Sequence, residues 1–390
     1  MRLAHIAPYS PLDWGSGGHT RIAATLARLR QEWDVDGFYV SDEVGGSVAS
    51  PVHRWRDPRG GIWDRLRRVQ HLVALRAGFP SSDFFAVSTS EVVSEARRRA
   101  ASADVALVEF GQMAPCAPLG VPSVLVAYDL AWAKTVAQTR TQADRGVRRL
   151  ERWRTRAEGA ALERLELGYY GRFDHLVVVS EHDRQTLEAA FDAAGQTAHP
   201  RVSVSPNGID WLDYGLLRGS GQPGTAGFVG GLEHPPNVDA VDLLVDAVLP
   251  GAPELRTLYL AGGGTDAFAG DRITGLGRVE DIKAVYERVS FTVAPVTWGS
   301  GSRLKILESM AARRPVVALE QAAEGLESLW PSDGLIVVPT VREFIEVTRR
   351  LAADPSEAAR RGAAGRESVA RFDWATTLAP LMDVLRSLAA

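Results

Sequence analysis

Cysteine is nearly absent, with Cys116 the only one in 390 residues. A lone thiol forms no internal disulfide and supplies no cysteine-rich zinc site, which fits a reducing compartment. As a side chain it reads as a small buried hydrophobe. Lysine is almost as scarce: of the 44 Lys+Arg only Lys134, Lys283 and Lys305 are lysines, so each is worth locating. Net charge is also small, because 44 basic residues against 48 acidic ones give −4. That lacks the overall basic excess of a surface whose main partner is nucleic acid. No apolar run approaches the roughly 18 residues that span a bilayer as a helix. The opening MRLAHIAPYSPLDWG has no apolar core of the kind a secretory signal carries. A cytoplasmic location is the expectation.

What is present is a globular composition, 45% hydrophobic and 24% charged, on a chain too long for one core. Short apolar runs alternate with amphipathic stretches of helical length, the pattern of a parallel sheet with crossover helices. Strands are predicted at Leu3–Ala7, Val35–Val40, Asp104–Phe110, Ser123–Ala127 and His175–Ser180, with helices over His19–Arg30 and Ala160–Tyr170 between them. The pattern restarts with strands at Ala226–Gly230, Thr257–Ala261, Phe291–Pro295, Pro315–Leu319 and Leu335–Pro339. The fold class is therefore α/β, two doubly wound halves. The segment VSVSPNG at Val202–Gly208 and the Gly/Pro/Ser-rich LLRGSGQPGT after it mark a last strand, a turn and a linker, placing the boundary near 206–224.

Two stretches stand out by charge. Residues 54–76 carry seven arginines against Asp57 and Asp64, with Trp55 and Trp63 interleaved; residues 140–156 carry seven arginines against Asp144 and Glu151. Each suits an anionic membrane surface or an anionic acceptor. A solvated helix face or a loop is the ordinary alternative.

The stretch from Val289 to Leu319, VSFTVAPVTWGSGSRLKILESMAARRPVVAL, carries the most chemistry. A buried strand ends at Pro295, a loop bears Gly299 and Gly301, and a helix is predicted from near Ser302, which can cap it. Strand, glycine loop and helix N-terminus place free backbone N–H groups at the carboxyl edge of a sheet, where α/β folds bind anions. Arg303 and Lys305 fall in the first helical turn, where the helix dipole disfavours cations by roughly 0.3–1 kcal/mol each. An anion should be their partner, and a diphosphate suits Arg's planar fork and Lys's compact charge. Glu308, further along the helix, suits ribose hydroxyls. A surface ion pair between these residues is the plainer reading. Trp298 either stacks on a ligand or packs the loop.

GSGSRLKILESMAARRPVVAL, followed by EGLE at Glu324–Glu327, resembles the donor-site signature of retaining glycosyltransferases of the GT-B fold, the group 1 enzymes called family 4. The SGGHTRI loop, ERLELGYYGRFDHLVVVSEHDR, VSVSPNGID, GFVGGLEHPPNVDAVDLL and GRVEDIKAVYERV match the same pattern in order and spacing. The resemblance implies two Rossmann-like domains facing across a cleft: an acceptor-binding domain over 1–210, a nucleotide-sugar domain over 211–371, and a C-terminal helix over 372–390 crossing back to the first. It implies that Arg303 and Lys305 neutralise the diphosphate, that Glu308 holds the ribose, and that Gly230–Gly231 lies under the phosphates. The backbone around Val279 would meet the base, and Ser300, Gly301 and Ser302 would lie against the donor; Glu324 either touches the donor sugar or is an exposed turn carboxylate. Gly17, Gly18 and His19 would approach the diphosphate and acceptor from the first domain; for His19, a first-turn residue hydrogen-bonded to its own loop is the alternative.

The chain departs from that family at three places. The second Glu that many members carry eight positions before the ribose Glu is Ser300 here. The basic pair of the loop opening the second domain is replaced by GGLEHPPN, leaving His234 as its only titratable nitrogen. A common His-Asp pair appears as Tyr128–Asp129, so Asp129 is the remaining candidate for orienting acceptor or sugar hydroxyls; a strand-end carboxylate is the alternative.

The function these readings imply is transfer of a sugar from a nucleotide-diphosphate sugar to an acceptor hydroxyl with retention at the anomeric carbon, Arg303, Lys305, His19 and Asp129 being the catalytic candidates. No cofactor and no metal are expected beyond the donor substrate. The expected acceptor is a glycan, a lipid-linked saccharide or a small molecule. The Arg/Trp-rich 54–76 suits peripheral contact with the inner face of a membrane. The rival readings are a nucleotide-sugar epimerase of the same fold and a non-catalytic subunit that binds nucleotide sugar or glycan.

Overall fold

The computed structural model describes residues 1–12, 17–41, 84–144, 149–217, 219–299, 303–330 and 332–390. The Arg/Trp-rich stretch 54–76 and the candidate site residues Ser300, Gly301 and Ser302 lie outside the described residues. The chain divides into two compact units, Met1–Pro206 with Leu378–Ala390, and Asn207–Gly299 with Arg303–Thr377.

The first unit is built on six parallel strands: β1 (Arg2–Ala7), β2 (Asp34–Tyr39), β3 (Val105–Glu109), β4 (Ser123–Ala127), β5 (His175–Val178) and β6 (Arg201–Val204). Their order is β2-β1-β3-β4-β5-β6. Every residue of β3 and β4 is buried, as expected for parallel strands covered by helices on both faces. The order reverses between β1 and β3, so their carboxyl ends flank the point where such sheets open toward ligands. The helix Gly17–Leu29 follows β1, and Ala131–Asp144 follows β4. The segment Leu378–Ala390 belongs to this unit. Its helix Ala379–Ala389 buries Leu381, Met382 and Leu385, and Arg386 pairs with Glu32 at 2.8 Å.

The second unit holds β7 (Gln222–Val229), β8 (Thr257–Ala261), β9 (Ala269–Gly270), β10 (Ile273–Gly275), β11 (Val289–Ala294), β12 (Val316–Leu319) and β13 (Leu335–Val338), in the order β13-β12-β11-β7-β8-β10-β9. All pair in parallel except the short edge strand β9. Here the order reverses between β7 and β11, and the loops leaving those two strands carry the glycines and cations singled out above. The first and last segments of this unit meet where Ile209 bridges Asp373, its N–H donating to Phe372 O at 2.8 Å.

Candidate active site

At the carboxyl edge of the second sheet, three loops are stitched together through backbone. Gly230 N–H donates to Ala261 O at 2.8 Å, Leu232 N–H to Gly263 O at 2.8 Å, and Gly262 N–H to Gly277 O at 2.8 Å. These bonds join the loop after β7, the loop after β8 and the loop that carries Val279 after β10. The approach demands glycine: a Cβ on Gly262, whose φ is +140°, would meet the Gly230 carbonyl at 2.4 Å. A Cβ on Gly230 would lie 2.7 Å from the Asn237 amide. Val279 is half-buried on its loop, and Arg278 beside it pairs with Glu233 at 3.1 Å.

Behind the glycine turn, the helix Pro235–Leu243 starts at His234, whose ring makes no side-chain cap bond. Asn237 in its first turn is 8% exposed and works both ways. Its amide N–H donates to Gly231 O at 2.8 Å, and its Oδ1 accepts from Lys305 Nζ at 3.0 Å. Lys305 also lies over the Phe228 ring at 4.9 Å. Burial first, and the charge of Arg303 second, push the Lys305 ammonium down to about 8, with the Glu308 carboxylate opposing them. Half-buried and held that way, the lysine has already given up part of its solvation.

The helix expected from near Ser302 begins at Leu304 and runs to Ala311, with Arg303 as the flanking residue in the left-handed region at φ 51°. That conformation costs a non-glycine residue about 1–2 kcal/mol and turns Arg303 out of the helical path. Its guanidinium donates to Glu324 O at 3.0 Å, to Gly299 O at 3.4 Å and to the Glu324 carboxylate at 3.4 Å. Gln321 also bonds Glu324. Glu308 points from the helix toward Tyr286, whose hydroxyl donates to Oε2 at 3.1 Å. Burial raises the Glu308 carboxyl, while hydrogen bonds from Tyr286 and Tyr214 and the charge of Lys305 pull the other way. The simple ion pair of Glu308 with Arg303 or Lys305 is thus replaced by a tyrosine-held carboxylate. Trp298 is packed, 8% exposed with its indole N–H on Asp239.

The structure brings Gly230, Gly231, Lys305, Arg303, Glu308 and Glu324 to one sheet edge. Asn237, Tyr286 and Tyr214 join them without having been anticipated. Asn237 lay inside the quoted GGLEHPPN and Tyr286 inside GRVEDIKAVYERV, so the segments were legible and the roles were not.

In the first unit, Gly17, Gly18 and His19 form the first turn of Gly17–Leu29, and the His19 ring packs 4.7 Å from Tyr9. Below them lies a polar knot. His5 Nε2 meets Glu109 Oε1 at 2.7 Å, His5 Nδ1 meets the Tyr39 hydroxyl at 3.0 Å, and the Tyr128 hydroxyl donates to Glu109. Arg21, fully buried, donates to Pro206 O at 2.8 Å and Ser205 Oγ at 3.0 Å, and lies 5.4 Å from the Tyr128 ring centroid. Burial works to raise the Glu109 carboxyl, but its bonds to His5 and Tyr128 and the charge of Arg21 hold it below the usual range. Tyr128 is 6% exposed and stacks on Phe110 at 4.0 Å, so it is part of the core. Asp129 stays at the edge, 3.6 Å from Lys134. Among the described residues, no group of three or more His, Cys, Asp and Glu is arranged to hold a metal ion, and no helix is long and apolar enough to cross a membrane.

Residues 223–354 match the family model described as glycosyl transferases group 1. No curated protein matches the chain by sequence. Among solved structures, sucrose-phosphate synthase from Thermosynechococcus elongatus superposes with a TM-score of 0.67 at 16% identity, covering 100% of this chain and 99% of that one. HepE of Anabaena, solved with UDP and glucose, gives 0.63 at 16% identity over 100% of both chains. The α,α-trehalose 6-phosphate synthase of Burkholderia multivorans gives 0.62 at 12% identity, over 100% of this chain and 99% of that one.

Proposed function

We propose that this chain, whose second unit carries a group 1 glycosyl transferase domain within a GT-B fold, moves a sugar from a nucleotide-diphosphate sugar to an acceptor hydroxyl with retention at the anomeric carbon. One observation carries the reading: Lys305 and Arg303, both partly withdrawn from solvent beside the start of the Leu304–Ala311 helix, stand at the same sheet edge as the Gly230–Gly231 turn, which the Asn237 amide and the Glu233 carboxylate approach closely. Charge grows on the departing diphosphate as the glycosidic bond breaks. Fixed cations stabilise it without reorganisation at the moment of reaction. Glu308, held by Tyr286, accepts the ribose hydroxyls, and the loop at Val279 lies against the base. The acceptor oxygen bonds to the anomeric carbon on the face the leaving group vacates, and its proton passes to a donor phosphate oxygen. Asp129 and His19, on the first unit, orient the acceptor.

UDP bound to HepE supports a uridine diphosphate donor as the first to test. A thermal-shift screen against UDP, GDP, ADP and dTDP and their sugars is expected to give stabilisation by one base class. Anomeric analysis of the product by NMR then decides retention. A donor that isomerises without acceptor would instead favour the epimerase.

The lysine gives a pH signature. Because burial and Arg303 push its ammonium down to about 8, binding above that pH requires proton uptake, and nucleotide affinity is expected to fall as pH rises through about 8, approaching roughly ten-fold per unit. Calorimetry at pH 7, 8 and 9 in buffers of different ionisation enthalpy measures both quantities; affinity level across that range with no proton uptake would refute it. A smaller effect is expected at the ribose. Tyr286→Phe removes one bond to Glu308 and should raise the donor KM by about three- to ten-fold with little change in kcat, read from initial rates.

A further inference from the structure

Glu166 is buried in the first unit, on the helix Arg149–Tyr170, and takes no part in the steps above. Its Oε1 accepts from Ala131 N–H at 3.2 Å and from the Tyr170 hydroxyl at 2.7 Å, and its Oε2 accepts from Trp132 N–H at 2.9 Å. Ala131 and Trp132 open the helix Ala131–Asp144, so a carboxylate from another helix caps it. The residues just before that helix are Asp129 and the buried Leu130. A third segment closes the arrangement: a Cβ on Gly111, after β3, would fall 2.1 Å from the Tyr170 hydroxyl and 3.5 Å from Glu166 Oε1.

We propose that Glu166 is a positioning residue that fixes the turn carrying Asp129 and holds it most firmly while ionised. This rests on the acceptor role given to Asp129 above. The chemistry is one of counting donors. The ionised carboxylate faces three of them; a proton on Oε1 is accepted by the Tyr170 hydroxyl oxygen, reversing that bond, and the Ala131 N–H is left with a carboxyl hydroxyl oxygen, a weaker acceptor than a carboxylate. The ionisable groups facing it are Tyr170 on its own helix and Asp129 on the turn, the latter paired with Lys134. Burial raises the Glu166 carboxyl to about 7, against the bonds from Tyr170, Trp132 and Ala131, while the charge of Asp129 adds to the rise. The cap therefore tightens as pH rises through neutrality.

The test uses the full chain. In the wild type, the Ala131 and Trp132 amides are expected to be better protected from hydrogen exchange at pH 8 than at pH 6, after correction for intrinsic rates. Acceptor-side kcat/KM should rise over the same interval. Glu166→Gln should lose the extra protection, flatten that limb and lower acceptor kcat/KM about ten-fold at pH 8, with nucleotide affinity unchanged. Tyr170→Phe, which keeps the carboxylate and removes one of its bonds, should move both transitions to higher pH. Protection that Glu166→Gln leaves intact overturns the proposal, as does protection lost with the pH limb and acceptor kcat/KM unchanged. Absence of any transfer by the wild type would instead defeat the proposed reaction, and amide protection alone would then judge the cap.

Discussion

Lys305→Ala is expected to lower kcat/KM by about 10² or more, since one preorganised charge at a developing anion is worth roughly 3 kcal/mol. Two effects add. The diphosphate loses a cation, and Asn237 Oδ1 loses the donor that helps hold its amide on Gly231 O. Arg303→Ala should cost a similar factor, and Arg303→Lys should recover little of it, because a single ammonium cannot reproduce a fork that contacts Glu324 and Gly299 together. Steady-state rates with a fixed acceptor measure both variants, and near-wild-type turnover in the two would remove the reason for assigning a leaving group to this edge. If substrate charge is the issue, the loss should appear in nucleotide affinity as well as in kcat.

The second large effect concerns backbone. Gly262→Ala should destabilise the second unit by about 3 kcal/mol or more, because φ 140° excludes a side chain and the new carbon would enter the Gly230 carbonyl. For a unit of this size that is a fall of about 6–12 °C in melting temperature. The loops after β7, β8 and β10 share the backbone bonds that Gly262 closes, so nucleotide binding should weaken even at temperatures where the variant is folded. Differential scanning calorimetry with and without nucleotide reads both. An unchanged melting temperature would mean that the three loops are joined less tightly than their hydrogen bonds indicate.

Much of the architecture was readable because parallel strands buried on both faces appear as unbroken apolar runs. Ser123–Ala127 and Thr257–Ala261 are strands over the residues expected. The two- and three-residue strands β9 and β10 were not foreseen, since runs that short carry no periodic signal. The helix expected from Ala160 begins at Arg149 instead: its first turns are arginine-rich, with Leu150 and Trp153 exposed, and show no apolar stripe to announce them.

Arg303, Lys305 and Glu308 could be chosen because their chemistry is local, three charges within one glycine-preceded helix start. Asn237 could not, because its contact with Lys305 spans 68 positions and an asparagine after two prolines reads as an ordinary helix beginning. Glu109 was hidden for the opposite reason. It ends an apolar strand, and only the fold shows that His5, Tyr128 and Arg21 converge on it. Buried polar groups paired over long separations leave no spacing rule to read.

The first unit is discontinuous in sequence: residues 378–390 complete it after all of the second unit has intervened. During synthesis, the face of β3 and β6 that will receive Leu381, Met382 and Leu385 must wait uncovered while about 170 further residues leave the ribosome. The N-terminal half therefore cannot reach its final state as a nascent chain ahead of the rest. A shortened polypeptide missing that last helix should emerge as a sticky, chaperone-dependent species even though every residue of its six-stranded sheet is present.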